Sequence, residues 1–272
     1  MILRIIPVIL GFAWLALATP RSTYRRTRGI PFAPHPKLKL DLYEPVAPKP
    51  DAPVIVYIHG GGWRAGSRRY HRFVADAFTS AGYAVAIPDY RLYPEVTFPA
   101  FVEDTAKAVR WVHDNLRDAD GAARPLVLMG SSAGAHIAAL LHFDRRRLAA
   151  AGVPHETIVS FVGLCGPYDF LPLTDPRYIP VFPPETLPDS QPITFVDGTA
   201  PPALLIAGAA DRVVDPANSE RLAKRIAETG GPVELKLYPG VGHIGIVGAL
   251  ARAVPLKKPP VRQTILAFLA GR

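Results

Sequence analysis

A serine set among small residues, an aspartate and a histidine placed just after strand-like runs, and a polyglycine turn could together perform acyl transfer. The serine is Ser132, in Gly130-Ser131-Ser132-Ala133-Gly134. The apolar run 125–129 before it reads as a buried strand, and 135–141 after it is apolar at helical spacing. Strand, Gly-x-Ser-x-Gly and helix in succession predict a nucleophile elbow, a turn sharp enough to expose the hydroxyl. Such a turn strains the serine backbone by roughly 1–3 kcal/mol. Its neighbours must be small so that strand and helix can approach, and Gly130, Ala133 and Gly134 meet that need.

A serine hydroxyl is a poor nucleophile until a base takes its proton and a third group orients the base. If the chain order is serine, acid, histidine, both partners lie after Ser132. His243 sits in the glycine-rich stretch 239–245, directly after a strand pattern. Asp211 follows the run 203–207 through Gly208-Ala-Ala210, which places a carboxylate at a strand end. Its rival Asp215 precedes Pro216 and reads better as a helix N-cap, with the proline at the first helical position. The oxyanion of a tetrahedral intermediate needs donors aimed at it in advance. One expected donor is the amide of Ala133; Gly60 and Gly61 of His59-Gly60-Gly61-Gly62 are expected to supply others. A polyglycine turn can also cradle phosphate, but this loop lacks the Lys and Ser/Thr partners of such a site.

Other residues near these motifs read as support. His136, one turn after Ser132, is expected to pack near the site. Asp104 and Arg91 can form a buried ion pair, and His59 can shape its loop. Trp63 and Tyr168 are the expected substrate-binding residues; with Tyr90 and Tyr93 they could line an acyl or aryl pocket or simply pack the core.

The elements that must position these groups alternate. Residues 37–43 alternate polar and apolar, as for a half-buried strand near a sheet edge, and 53–58 form a β-branched run covered on both faces. Further strands are predicted at 83–87, 158–164, 203–207 and 233–238, with helices over 98–116, after Asp215 and over 261–270. This alternation means an α/β fold, a mostly parallel central sheet with helices on both faces. Ligands bind at the carboxyl ends of such strands, where every candidate falls. Between Gly166 and Gly198 periodicity disappears and eight prolines interrupt the chain, which predicts a short Pro-rich cap or lid.

The 272 residues, with no repeat or linker, suit one domain over 29–272. The net charge of +8 invites a nucleic-acid reading, but five positive charges lie in residues 1–28, which hold no acid. No basic run interleaved with aromatics is present, so nucleic acid is set aside. The lone Cys165 excludes an internal disulfide and a cysteine-rich zinc site. Arg4, the apolar run 5–18 and Ala16-Leu17-Ala18 have the layout of a secretory signal peptide. The arginines at 21–28 favour an uncleaved membrane anchor instead. The protein is therefore expected to be exported or membrane-anchored, with residues 1–28 outside the fold and membrane association through residues 1–20.

Taken together, His59-Gly-Gly-Gly-Trp63, Asp89-Tyr-Arg-Leu-Tyr-Pro-Glu95, Phe98-Pro99 with Asp104, and Gly130-Ser-Ser-Ala-Gly134 resemble the α/β-hydrolase superfamily. Leu40-Asp-Leu-Tyr-Glu-Pro45 and Trp63-Arg-Ala-Gly66 are similar to carboxylesterases grouped with feruloyl/acetyl-xylan esterase-like proteins. The hormone-sensitive-lipase-like branch is close but often has Asp where this chain has Ser131. The resemblance implies an α/β-hydrolase fold and a serine hydrolase, without metal or organic cofactor, acting on small or short-acyl esters through an acyl-enzyme. Kynurenine formamidases share a related His-Gly-Gly loop, so amide hydrolysis is the rival activity. A hydrolase fold kept as a binding protein, and a peptidase, are the remaining alternatives.

Overall fold

A computed structural model describes residues 11, 14–118, 120–252 and 259–271. Among the described residues, eight strands form one sheet: β1 (Tyr24–Pro31), β2 (Lys39–Pro45), β3 (Val54–Ile58), β4 (Val85–Pro88), β5 (Leu126–Ser131), β6 (Ile158–Leu164), β7 (Ala203–Gly208) and β8 (Val233–Tyr238). Their order across the sheet is β1-β2-β4-β3-β5-β6-β7-β8. Only β1–β2 and β2–β4 pair antiparallel; every other neighbouring pair is parallel. This is the α/β-hydrolase fold. β3, β5 and β7 are buried along their whole length, whereas β8 alternates between half-buried and exposed residues. Central parallel strands therefore read as continuous apolar runs and the edge strand does not.

The helices are α1 (Arg72–Thr79), α2 (Ala100–Asn115), α3 (Ala133–Phe143), α4 (Arg145–Ala150), α5 (Ala217–Glu228), α6 (His243–Gly248) and α7 (Val261–Ala270). Successive strand residues point to opposite faces, so the sheet divides the core in two. Val54, Val56, Ile58, Leu126 and Leu128 pack with α2, α3 and α5. Ile55, Tyr57, Val127 and Met129 pack with α1 and α7. On α2 the buried residues include Phe101, Thr105, Ala108, Val109 and Val112, the face its periodicity predicts. On α7, Val261, Ile265, Phe268 and Leu269 are buried; each large apolar side chain contributes roughly 1.5–3 kcal/mol of transfer free energy.

The amino-terminal boundary differs from the expected one. Tyr24–Pro31 is the sheet's edge strand, so the fold includes residues assigned by sequence to a linker, and β2 lies inside the edge. Polar contacts fasten this region: Arg26 donates to Asp41 at 2.6 Å and Thr23 Oγ1 to Asp76 at 2.7 Å. Arg72 also donates to the carbonyls of Leu17 and Thr19, each at 3.2 Å. The predicted signal or anchor lies largely outside the described residues. Among those described, no helix is long and apolar enough to cross a membrane.

Candidate active site

Ser132 occupies the turn between β5 and α3 with φ 54° and ψ −123°. That conformation is unfavourable for an L-residue with a Cβ, and surrounding packing must hold it. The packing is backbone against backbone. A Cβ on Gly130 would collide with the Gly134 carbonyl, and one on Gly134 with the carbonyls of Ile58 and His59. The Ser132 amide donates to Leu164 O at the end of β6, 2.8 Å away. The preceding Ser131 hydroxyl is buried and shares a 2.9 Å hydrogen bond with Tyr57, so this polar position is satisfied across to β3.

Asp211 and His243 come together at the ends of β7 and β8. His243 Nδ1 lies 2.6 Å from Asp211 Oδ2, while Asp211 Oδ1 accepts from the amides of Val213 at 2.8 Å and Val214 at 3.0 Å. Burial alone would raise the Asp211 carboxyl, but hydrogen bonds from His243, Val213 and Val214 hold it below the usual carboxylate range. With Nδ1 as donor to a carboxylate, the other ring nitrogen is left as an acceptor. His243 is the first residue of the short helix α6. Asp215 makes a different contact, accepting from the Ala217 amide at 3.0 Å at the start of α5, which begins one residue later than expected.

A cleft of about 210 Å³ opens beside Ser132. Gly62, Trp63 and Ala133 form one wall, Phe170, Leu173 and Tyr178 of the Pro-rich segment another, and Val213 and Val214 a third. The nucleophile candidate and the loop that caps Asp211 thus face one space. A second pocket of about 270 Å³, lined by Glu103, Arg146, Arg147, Ala150 and Asp189, contains none of the motif residues.

The polyglycine loop divides its tasks. A Cβ on Gly60 would stand 2.8 Å from Ser131 O and 3.1 Å from Ser132 Cβ, so a glycine is needed for close approach to the elbow. Gly61 (φ 133°) closes the turn, its carbonyl accepting from Arg64 at 3.2 Å and Ala65 at 3.0 Å. Gly62, not singled out from sequence, is the glycine on the cleft wall, with the Tyr178 ring over it. Ala133 also lines the cleft, and the amides of a first helical turn have no partner within their helix.

Of the four aromatic candidates, only Trp63 lines the cleft. Tyr168 is a correction: its ring is fully buried, packs edge-on to Phe161 and occupies the space above Gly163 and Gly166. Its amide bonds to Asn218 Oδ1 at 3.0 Å, which holds this stretch against α5 and turns the side chain into the core. Tyr90 supports the polyglycine loop by donating to His59 O at 2.9 Å. Arg91 makes a two-pronged contact with buried Asp104 at 2.7 and 2.8 Å. Phe170, Leu173 and Tyr178 are pocket residues that sequence missed; nothing in an aperiodic segment marks which side chain turns inward.

Cys165, Asp211 and His243 carry donor atoms within 4.8 Å of one another. Thiol, carboxylate and imidazole are donor types of a zinc site. Here burial and the neighbouring Asp211 charge push the thiol up, so it stays protonated, and the carboxylate is engaged with the imidazole.

The family model described as BD-FAE matches residues 40–177. A probable isoprenylcysteine alpha-carbonyl methylesterase of Oryza sativa subsp. japonica is 27% identical over 242 residues, covering 80% of this chain and 58% of the relative. Carboxylesterase NlhH of Mycobacterium tuberculosis is 38% identical over 101 residues, or 37% of this chain and 32% of that protein. The chain thus spans little more than half the length of the methylesterase relatives it matches. Among solved structures, a hyperthermophilic esterase from the archaeon Pyrobaculum calidifontis has a TM-score of 0.75 at 26% identity, covering 97% of this chain and 88% of that one. An esterase B from Lactobacillus rhamnosis reaches 0.79 at 21% identity, covering 96% and 92%, which supports the shared fold.

Proposed function

Because the chain belongs to the BD-FAE family, we propose that it is a serine esterase cleaving carboxylic esters with short acyl chains. Ser132 attacks the ester carbonyl while His243 takes the hydroxyl proton through the ring nitrogen that does not face Asp211. Asp211 keeps the imidazole in that tautomer and stabilises its cation. The tetrahedral oxyanion forms against the amides of Ala133 and the Gly61–Gly62 turn, at the positive end of α3. Collapse expels the alcohol, which receives the proton from His243. Water, activated by the same histidine, then releases the acid and restores Ser132.

The observation that carries this reading is the Ser132 conformation, φ 54°, at a cleft bordered by the loop that caps Asp211. Backbone strain is retained where packing over-determines it, and a serine held this way exposes its hydroxyl. The relatives, a probable methylesterase and a carboxylesterase, support an ester rather than an amide substrate. We further propose that residues 1–18 direct export or anchoring. Cleavage after Ala18 would leave β1 intact, and sequencing the amino terminus of the mature protein tests this.

The test is hydrolysis of a p-nitrophenyl acyl series from acetate to dodecanoate, with N-formylkynurenine beside it. Short esters are expected to turn over, and Ser132→Ala to lower kcat by about 10⁶ while leaving the fold intact. Undiminished turnover in that variant, or preference for the formyl amide, would overturn the proposal.

A further inference from the structure

Trp63 and His136 are distant in sequence and adjacent in space. The Trp63 backbone has φ 56°, and its indole is 4% exposed among Phe101, Phe170, Tyr178 and Phe182. Its Nε1–H donates to His136 Nδ1 at 3.2 Å. The other nitrogen, Nε2, donates to the Ser190 carbonyl at 2.7 Å. One tautomer of a neutral imidazole satisfies both bonds: Nδ1 accepts and Nε2 carries the hydrogen. Burial pushes His136 down to about 4, so it is neutral wherever the enzyme would work.

The contact reaches two of the three walls of the cleft. Ser190 is followed by Gln191, whose Oε1 accepts from the Phe170 amide at 2.8 Å and whose Nε2 donates to Ser190 Oγ at 2.8 Å. Trp63 and Phe170 are thereby both tied to one side chain on α3, the helix that begins beside Ser132. Two of the side chains that line the cleft are thus held at a fixed offset from the nucleophile.

We propose that His136 is the positioning residue of the acyl pocket: by holding the Trp63 indole against the Ser190 corner, it limits the substrate to short acyl chains. This rests on the esterase reading, and it assigns to that reaction a specificity-determining pair, Trp63 and His136. Removing the indole opens space continuous with the cleft. Each methylene fitted or excluded in an apolar pocket changes discrimination by about tenfold or more.

The experiment compares kcat/KM for p-nitrophenyl butanoate and octanoate in the full-length chain. In parallel, butanoate and octanoate binding is measured by thermal shift, which requires no hydrolysis. Wild type is expected to favour the four-carbon chain in both assays. Trp63→Ala and His136→Leu are expected to raise the octanoate-to-butanoate ratio at least about tenfold. His136→Asn keeps an acceptor near the Nδ1 position and is expected to stay within about threefold of wild type. Equal ratios in the Asn and Leu variants, or an unchanged ratio in Trp63→Ala, would overturn the proposal. If His136→Leu does not fold, Trp63→Phe, which removes the N–H donor and shortens the ring, is expected to raise the ratio; no change there would also overturn it. A wild type that binds butanoate selectively but hydrolyses neither ester would defeat the esterase reading and leave the pocket assignment standing.

Discussion

The elbow and the acid–histidine pair serve one cleft, but they are built by different means. Around Ser132 the structure is backbone against backbone, at Gly130 on Gly134, Gly134 on Ile58 and Gly60 on Ser131. Around Asp211 it is side-chain hydrogen bonding, with one carboxylate accepting from His243, Val213 and Val214. The first kind cannot yield without moving the sheet. The second can lose a charge while the chain stays in place. Damage to the elbow should therefore appear as lost folding, and damage to the pair as lost activity.

Asp211→Asn puts the second half of that contrast to its hardest test. An amide oxygen can still accept from Val213 and Val214, but the imidazole loses the partner that fixes its tautomer. We expect kcat to fall about 10⁴-fold with a near-native melting temperature. A comparable loss of stability would mean that the pair is structural.

Gly134→Ala tests the first half. The new Cβ would meet the Ile58 and His59 carbonyls, and neither can rotate away. Overpacking of this kind should cost about 3 kcal/mol or more, read as a lower urea midpoint. A variant with unchanged stability would show that the elbow can relax.

A third test reads the buried histidines by pH. Burial pushes His71 and His142 down to about 3 and His136 to about 4, from an ordinary 6.5. Two of these flank the polyglycine loop, His71 stacking 5.7 Å from His59 and His136 bonded to Trp63. Because their folded-state values are depressed, the unfolded chain binds more protons below pH 6.5. Their contribution is fully present above that pH and is lost as pH falls toward 4. Each group can change stability by up to about 1.4 kcal/mol per pH unit in that window. The melting temperature should drop between pH 7 and 5, and a flat profile would contradict buried neutral histidines.

Much of this arrangement was legible in the sequence, for a physical reason. β6, β8 and α7 were read at the boundaries the structure gives them. β6 is apolar but for Ser160, and β8 and α7 carry one period from end to end. Gly130–Gly134 was legible because an elbow restricts residue size at fixed spacing. β1 was not: Tyr24-Arg-Arg-Thr-Arg carries charges that read as a membrane flank, although Arg26 is spent on Asp41 within the sheet. Helix α1 escaped notice because its buried face includes Arg72 and Asp76, whose charges are satisfied by partners far away in sequence. The Pro-rich segment folds as single 3-10 turns at Ile179–Val181, Pro184–Thr186, Pro188–Ser190 and Pro192–Phe195, none long enough to show a period. Hence sequence points to Tyr168 as a pocket residue and leaves Phe170 unmarked.

The most direct test of the account is phosphonylation by a short-chain p-nitrophenyl phosphonate, followed by intact mass and peptide mapping. The account predicts one adduct per chain, on Ser132, absent in Ser132→Ala and formed much more slowly in Asp211→Asn. Ester turnover that persists while Ser132 remains unmodified, or an adduct on another residue, would contradict it.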